Sequence, residues 1–195
     1  AILPAMDKYP MRINKYLALK GHSTRRGADE LIEKKRVTIN GRIAVLGDKV
    51  LETDVVELKQ SGKPKAYIYL AYNKPRNEQT EEINIPGGVF PLGRLDKMSE
   101  GLIIMTNDGR ITDRLLNPEY SHEKEYVVTI KDKLRNNFKE KMEAGVDIEG
   151  YITKPCKVNV INDHTFNLTI SEGKKHQIRR MCVALFNEVR DLKRL

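Results

Sequence analysis

The sequence predicts an α+β protein in two parts: a small α/β unit, then a larger unit in which helices flank a mixed sheet. Three observations predict it. Helical periodicity over residues 12–36 runs straight into an Asn-Gly hairpin signal, a polar Gly/Pro stretch then interrupts all apolar patterning, and beyond it short β-type runs alternate with three helical segments.

Taking the elements in order, Ile13, Tyr16, Leu17 and Leu19 share one helical face, and Gly21 supplies a stop. Ser23 or Thr24 caps a second helix, with Ala28, Leu31 and Ile32 facing inward and Arg25, Arg26, Lys34, Lys35 and Arg36 facing water. Residues 37–39 and 42–45 are predicted strands of a hairpin around Asn40-Gly41, and a strand near 55–58 completes the unit over 11–58. Residues 59–66, with Gln60-Ser61-Gly62-Lys63-Pro64-Lys65 at their centre, read as a linker. In the second domain, 67–195, strands are expected at 67–72, 102–106, 125–130, 156–161 and 166–171, with a further one at 189–192. Helices are expected at 108–116, 134–144 and 175–186.

Charge is unevenly distributed. Of a net +8, residues 1–65 carry +6, from 14 Lys and Arg against 8 Asp and Glu. That asymmetry points to a basic docking module with nucleic acid as the leading polyanion, or to a merely basic soluble protein. Cys156 and Cys182 stand apart, with no clustered His, so neither a disulfide framework nor a metal site is expected and a reducing cytoplasm fits. Residues 1–10 are too short and interrupted for a secretory segment, and no apolar run reaches membrane-spanning length. The absence of a heptad or an apolar stripe predicts a monomer.

The chemistry concentrates in Gly93-Arg94-Leu95-Asp96-Lys97-Met98-Ser99-Glu100-Gly101-Leu102, which continues through a β-type run to Thr106-Asn107-Asp108-Gly109. Asp96 sits between Arg94 and Lys97, suited to an anionic substrate. A lone Asp can act as nucleophile, as general base, or as stabiliser of an oxocarbenium-like centre, the tools for opening a glycosidic bond. By itself an Asp beside an Arg is an ordinary surface pair.

The longer pattern G-R-L-D-x-x-S-x-G-L-x-x-x-T-N-D-G resembles the signature of the bacterial pseudouridine synthases that modify ribosomal RNA. Tyr72-Asn73-Lys74-Pro75, Lys124-Glu125-Tyr126 and Glu172-Gly173-Lys174-Lys175-His176-Gln177-Ile178-Arg179-Arg180-Met181 resemble further motifs of that family in the same order. The helix, helix, hairpin unit is similar to the alpha-L RNA-binding domain that these enzymes carry at the N-terminus. Residues 122–129, 154–158 and 179–182 are most like members acting on large-subunit RNA.

The resemblance implies a mixed, mainly antiparallel sheet for the second domain and an isomerisation that needs no cofactor. Asp96 matches the catalytic aspartate, which attacks either uracil C6 or ribose C1′. The N1–C1′ bond breaks, the uracil turns while bound, and it rejoins through C5. Tyr126 matches the tyrosine lying against the target uracil; without the family context it reads as a core aromatic of a strand. Arg179 matches the basic residue that pairs with the aspartate. A uridine inside folded RNA must be flipped out, and Arg94 is suited to fill the gap or bind a neighbouring phosphate, or else to pair with a local acid. Leu95, Lys97, His176, Gln177 and Ile178 complete the expected substrate contacts. Arg12, Lys15, Arg25, Arg26, Lys35, Lys174, Lys175 and Arg180 are expected to hold a structured RNA stem-loop; taken singly, each is equally a solvated charge.

After Lys74-Pro75 this chain continues Arg76-Asn77-Glu78-Gln79-Thr80 where the family has a small residue, Gly and a longer loop. The competing reading is a non-catalytic RNA-binding or ribosome-assembly factor on the same fold. A glycoside hydrolase is disfavoured because no second suitably placed carboxylate is evident.

Overall fold

The computed structural model describes residues 9–59 and 66–195. The linker expected at 59–66 and the segment 1–10 therefore lie almost wholly outside the described residues. Backbone contacts gather the chain into two compact units. One runs to Ile68 and takes in Thr106–Arg114; the other comprises Tyr69–Met105 and Leu115–Leu195. Among the described residues no helix is long and apolar enough to cross a membrane.

In the first unit, β1 (Met11–Arg12) leads into α1 (Ile13–Leu19) and α2 (Arg25–Glu33). Thr24 caps α2, its hydroxyl accepting from the Gly27 N–H at 2.9 Å. Ile13 and Leu17 of α1 pack with Ala28 and Ile32 of α2 in a core closed by Val37, Ile39, Ala44 and Val50. β2 (Val37–Ile39) lies between β3 (Arg42–Ile43) and β5 (Val56–Leu58), and β4 (Lys49–Val50) pairs with β1. Asn40 and Gly41 both have positive φ, the geometry of a two-residue hairpin turn whose twist matches the strands. The Asn40 side chain also accepts from the Val55 N–H at 2.8 Å, tying the turn to the approach of β5. Arg12, Arg25, Arg26 and Lys35 are exposed and Lys15 is half-buried.

The T-N-D part of the signature also serves this unit. Thr106 donates to the Ile68 carbonyl at 2.6 Å and Asn107 accepts from the Ile68 N–H at 2.9 Å. Asp108, 1% exposed, takes a two-pronged contact from Arg110, whose guanidinium stacks 3.9 Å from the Tyr67 ring. A turn motif in the sequence is thus a clamp on residues 66–68.

In the second unit seven strands form one sheet, in the order β10 (Lys157–Asn162), β11 (Thr165–Ile170), β9 (Lys124–Ile130), β12 (Val189–Arg194), β8 (Glu100–Thr106), β6 (Tyr69–Lys74), with β7 (Phe90–Leu92) also on β8. β12 runs parallel to β8, whereas β10, β11, β9 and β12 pair antiparallel in succession. The sheet is mixed and mostly antiparallel, as the resemblance implied. Alternate residues of β9 (Tyr126, Val128, Ile130) and β11 (Phe166, Leu168, Ile170) are buried, the period of two expected when one face meets the core.

The helices are shorter than their sequence patterns. The segment predicted as 108–116 is a 3₁₀ turn followed by α3 (Thr112–Leu116); that predicted as 134–144 reduces to α4 (Phe138–Ala144); and 175–186 becomes α5 (Gln177–Ala184). In the last two, Asn137 and His176 at the helix entrance have positive φ and break the periodic run at its N-terminal end.

Candidate active site

The signature folds as a loop between β7 and β8. Gly93 opens it with φ +81°, and Asp96 to Ser99 form a turn closed by the Ser99 N–H on the Asp96 carbonyl at 2.9 Å. Thr80, 1% exposed, donates to the Leu95 carbonyl at 2.7 Å and accepts from the Leu95 N–H at 3.1 Å, which fixes the residue before Asp96. Beyond it, the Asn77 N–H donates to the Lys97 carbonyl at 2.8 Å. The segment that departs from the family pattern is therefore what braces the Asp96 loop.

Below the loop lies Lys74, 0% exposed, its ammonium donating to the carbonyls of Pro75 at 2.9 Å and Glu78 at 2.7 Å. Burial pulls its pKa below the usual lysine value, while Glu78, Asp96 and Glu100 act in the opposite sense. The sequence marks Lys74 only as part of a motif; its burial beside three carboxylates depends on tertiary packing.

A cleft of about 740 Å³ opens over the loop. Leu92, Leu95, Leu116, Ile178 and Leu192 give it apolar walls, and Asp96, Tyr126 and His176 face it. Arg94, Lys97, Lys174 and Lys175 line it as exposed cations. That volume is within the range of small-ligand clefts, roughly 300–1,000 Å³. Asp96 is half-buried, open to a ligand yet fixed by its backbone. Tyr126 is 7% exposed; burial pushes its phenol up, partly offset by the charge and hydrogen bond of Arg194. Lys124, also on the cleft, is pulled down by burial and then by Arg194.

The hydrogen bonds of Arg179, which lines the cleft, do not include the pairing with Asp96 that the resemblance implies. The side chain that faces Asp96 is the His176 imidazole, with Nε2 at 3.5 Å from Oδ1, whereas the Arg179 guanidinium is taken up by the loop. Arg179 donates to the carbonyl of Met98 at 3.1 Å, to the Ser99 hydroxyl at 3.4 Å and to the Val189 carbonyl at 3.4 Å. The cause is local: His176 sits at φ +51° before α5 and turns its ring toward Asp96, while Arg179 lies inside the helix facing the turn that follows.

Two other expected contact residues have partners within the protein. Gln177 lines the cleft but is 4% exposed, its side chain accepting from the Lys174 N–H at 2.8 Å and donating to Glu172 at 2.7 Å, so it shapes the loop before α5. Arg180 bonds the Ile148 carbonyl at 2.8 Å and Glu149 at 2.7 Å, away from the cleft lining. Arg94 pairs with Glu81 at 3.2 Å on the rim, the local acid considered from the sequence. Glu172, a second carboxylate on the cleft, is held by Tyr151 at 2.6 Å, the Lys154 N–H at 3.0 Å and Gln177, so it is not disposed as a partner acid for Asp96. The sequence reading missed Thr80, Lys124 and Arg194; only the K-x-Y spacing hinted at Lys124.

The arrangement is a half-buried carboxylate, an aromatic floor and a basic rim, with no second free acid among the described residues of the lining. Comparison with known proteins agrees. Residues 55–184 match the model of the RNA pseudouridylate synthase family, and residues 11–56 that of the S4 domain. The chain is 38% identical to the dual-specificity RNA pseudouridine synthase RluF of Escherichia coli strain K12, over 94% of this chain and 69% of that one. It is 34% identical to ribosomal large subunit pseudouridine synthase B of Bacillus subtilis, over 94% and 84%. A crystal structure of a pseudouridylate synthase superposes with a TM-score of 0.67 at 31% identity, covering 94% of this chain and 87% of that one. The chain belongs to the RNA pseudouridylate synthase family, with an S4 domain at its N-terminal end.

Proposed function

We propose that this enzyme converts a specific uridine in a structured stem-loop of ribosomal RNA, of the large subunit, to pseudouridine. It works as a cytoplasmic monomer, with residues 11–58 as the RNA-docking domain, 59–66 as linker and 67–195 as the catalytic domain. What supports this most is the Asp96 carboxylate: half-buried, held through Leu95 and Lys97, and open to a cleft with Tyr126 in its lining. Ribosomal RNA as substrate is suggested by the name of the Bacillus subtilis relative.

In this reading the target nucleotide leaves its stack and enters the cleft, the rim cations Arg94, Lys97, Lys174 and Lys175 meeting the RNA backbone. Asp96 attacks at C6 or at C1′, the N1–C1′ bond breaks, and the freed uracil is retained between the apolar walls and the Tyr126 ring. Rotation brings C5 to C1′, a C5–C1′ bond forms, the bond between Asp96 and C6 or C1′ breaks to return the carboxylate, and the C5 proton leaves to solvent while N1 gains one. Reactants and products have the same composition, so no co-substrate is required. Exposed Arg12, Arg25, Arg26 and Lys35, with Lys15, give the first domain its hold on phosphates.

The test is release of label from ribosomal RNA tritiated at uridine C5. Release by the native protein and none by Asp96→Asn is expected; RNA binding without release by both would favour the non-catalytic RNA-binding or assembly factor.

A further inference from the structure

The cleft contains an arginine that no motif explains. In the sheet, Tyr126 of β9 stands opposite Arg194 of β12. Directly opposed residues on neighbouring strands project to the same face, and so do residues two apart on one strand. Tyr126 and Arg194 therefore share a face with Lys124 and Leu192, and all four line the cleft. On its other side β12 runs parallel to β8 with Arg194 opposite Gly101, where a Cβ would fall 2.1 Å from the Arg194 carbonyl oxygen. The glycine of the signature is what admits the end of β12 to this position. The Arg194 Nε donates to the Leu102 carbonyl, which fixes one edge of the guanidinium. The cross-strand pairing puts the guanidinium and the Tyr126 phenol on the same side of the sheet, and the arginine's charge opposes the upward push of burial on the phenol, with Asp96 a smaller influence adding to that push.

We propose that Arg194 is a positioning residue of the reaction, acting through Tyr126: it holds the phenol hydroxyl on the cleft floor and sets a fixed positive charge beside the phenol oxygen. A buried hydroxyl with one oriented cationic partner has its ring rotation restricted, and any negative charge gathering on that oxygen meets a cation already in place. The Leu102 carbonyl keeps the guanidinium from swinging away to RNA phosphates. This role rests on Asp96 and Tyr126 forming the active site.

The test is a double-mutant cycle on the full chain, using unmodified ribosomal RNA tritiated at uridine C5, with kcat and KM measured for wild type, Arg194→Met, Tyr126→Phe and the double variant. Arg194→Met is expected to lower kcat about 30-fold with KM within about twofold of wild type, and the double variant to be no slower than Tyr126→Phe alone. Arg194→Lys keeps the charge but loses the planar fork, so it should recover part of the rate, and it carries the same cycle should the Met variant fail to fold. Losses that multiply in the double variant, or an effect confined to KM, would overturn the proposal. Asp96→Asn in the same series separates the two failures. Its inactivity alongside multiplying losses would leave the site intact and remove only the role of Arg194; its retained turnover would remove the site itself.

Discussion

The hydroxyl of Thr80 grips Leu95 from both sides, donating to its carbonyl at 2.7 Å and accepting from its N–H at 3.1 Å, in a place where Thr80 is 1% exposed. Thr80→Val keeps the shape and removes both bonds, leaving two buried backbone groups unpaired. Each such group costs about 1–3 kcal/mol, so urea unfolding should show a lowered midpoint. Because Leu95 precedes Asp96, kcat should fall about tenfold through loss of alignment, with KM little changed. Thr80→Ser should retain both properties. A Val variant with native midpoint and native kcat would show that the loop is held by other contacts.

That bond pair also shows where sequence reading stops. Asp96, Tyr126 and the loop leading to His176 were legible because the chemistry sits in contiguous strings whose residue types and spacing are unusual. The first unit was legible because capping at Thr24, the apolar face of α1 and α2, and the Asn40-Gly41 turn are local effects. Thr80 was not, since nothing around it in sequence shows that Leu95 lies against it. The hydrogen bonds that Arg179 makes on the cleft lining were hidden for the same reason: its partners, Met98, Ser99 and Val189, are distant in sequence and set by packing. The helix entrances at Asn137 and His176 failed differently, since the apolar period continues through both while positive φ does not permit a helix there.

Glu172 should give stability a dependence on acid pH. Burial favours its neutral form, but the bonds from Tyr151, the Lys154 N–H and Gln177, with the charge of Lys154, more than offset this and hold the carboxyl below its ordinary value. A carboxylate depressed in the folded state stabilises that state above the unfolded pKa, about 4.3, and the contribution fades as pH falls through the folded value. Thermal unfolding from pH 7 to pH 3 should therefore show a smaller decline in Tm for Glu172→Gln than for wild type, with the variant the less stable of the two at pH 7. Since Glu172 and Gln177 shape the loop leading to His176, the variant should also lose turnover. Parallel Tm curves would remove Glu172 as a source of acid sensitivity.

Arg25 and Arg26 open α2 and are both exposed, so they test the docking role assigned to the first domain. If each meets one RNA phosphate, Arg25→Gln with Arg26→Gln should reduce the slope of log K against log salt by roughly 0.7–0.9 for every phosphate left without its arginine. Binding should weaken most at low salt, while kcat at saturating RNA stays near wild type, because neither residue reaches the cleft lining. Filter binding of ribosomal RNA at several salt concentrations reads the slope directly. An unchanged slope would mean that the basic face of α2 is a solvated surface.

Gly101 offers the sharpest structural test, because its close approach to β12 separates from the backbone strain that it shares with Gly150. Its φ is +112°, and a Cβ would meet the Arg194 carbonyl oxygen at 2.1 Å and the Arg194 nitrogen at 2.7 Å, backbone atoms that cannot rotate aside. Gly150 has φ +85° but open space around a would-be Cβ. Gly150→Ala should therefore cost only the backbone strain, about 1–3 kcal/mol. Gly101→Ala adds the displacement of β12 from β8 at the point where Arg194 enters the cleft. It should lower stability by several kcal/mol, and each kcal/mol corresponds to roughly 2–4 °C in Tm for a chain of this size. Turnover per folded molecule should fall for Gly101→Ala and hold for Gly150→Ala, because only the first moves Arg194 away from Tyr126. Equal losses of Tm and equal turnover in the two variants would mean that the close approach of β12 has no particular place in this site.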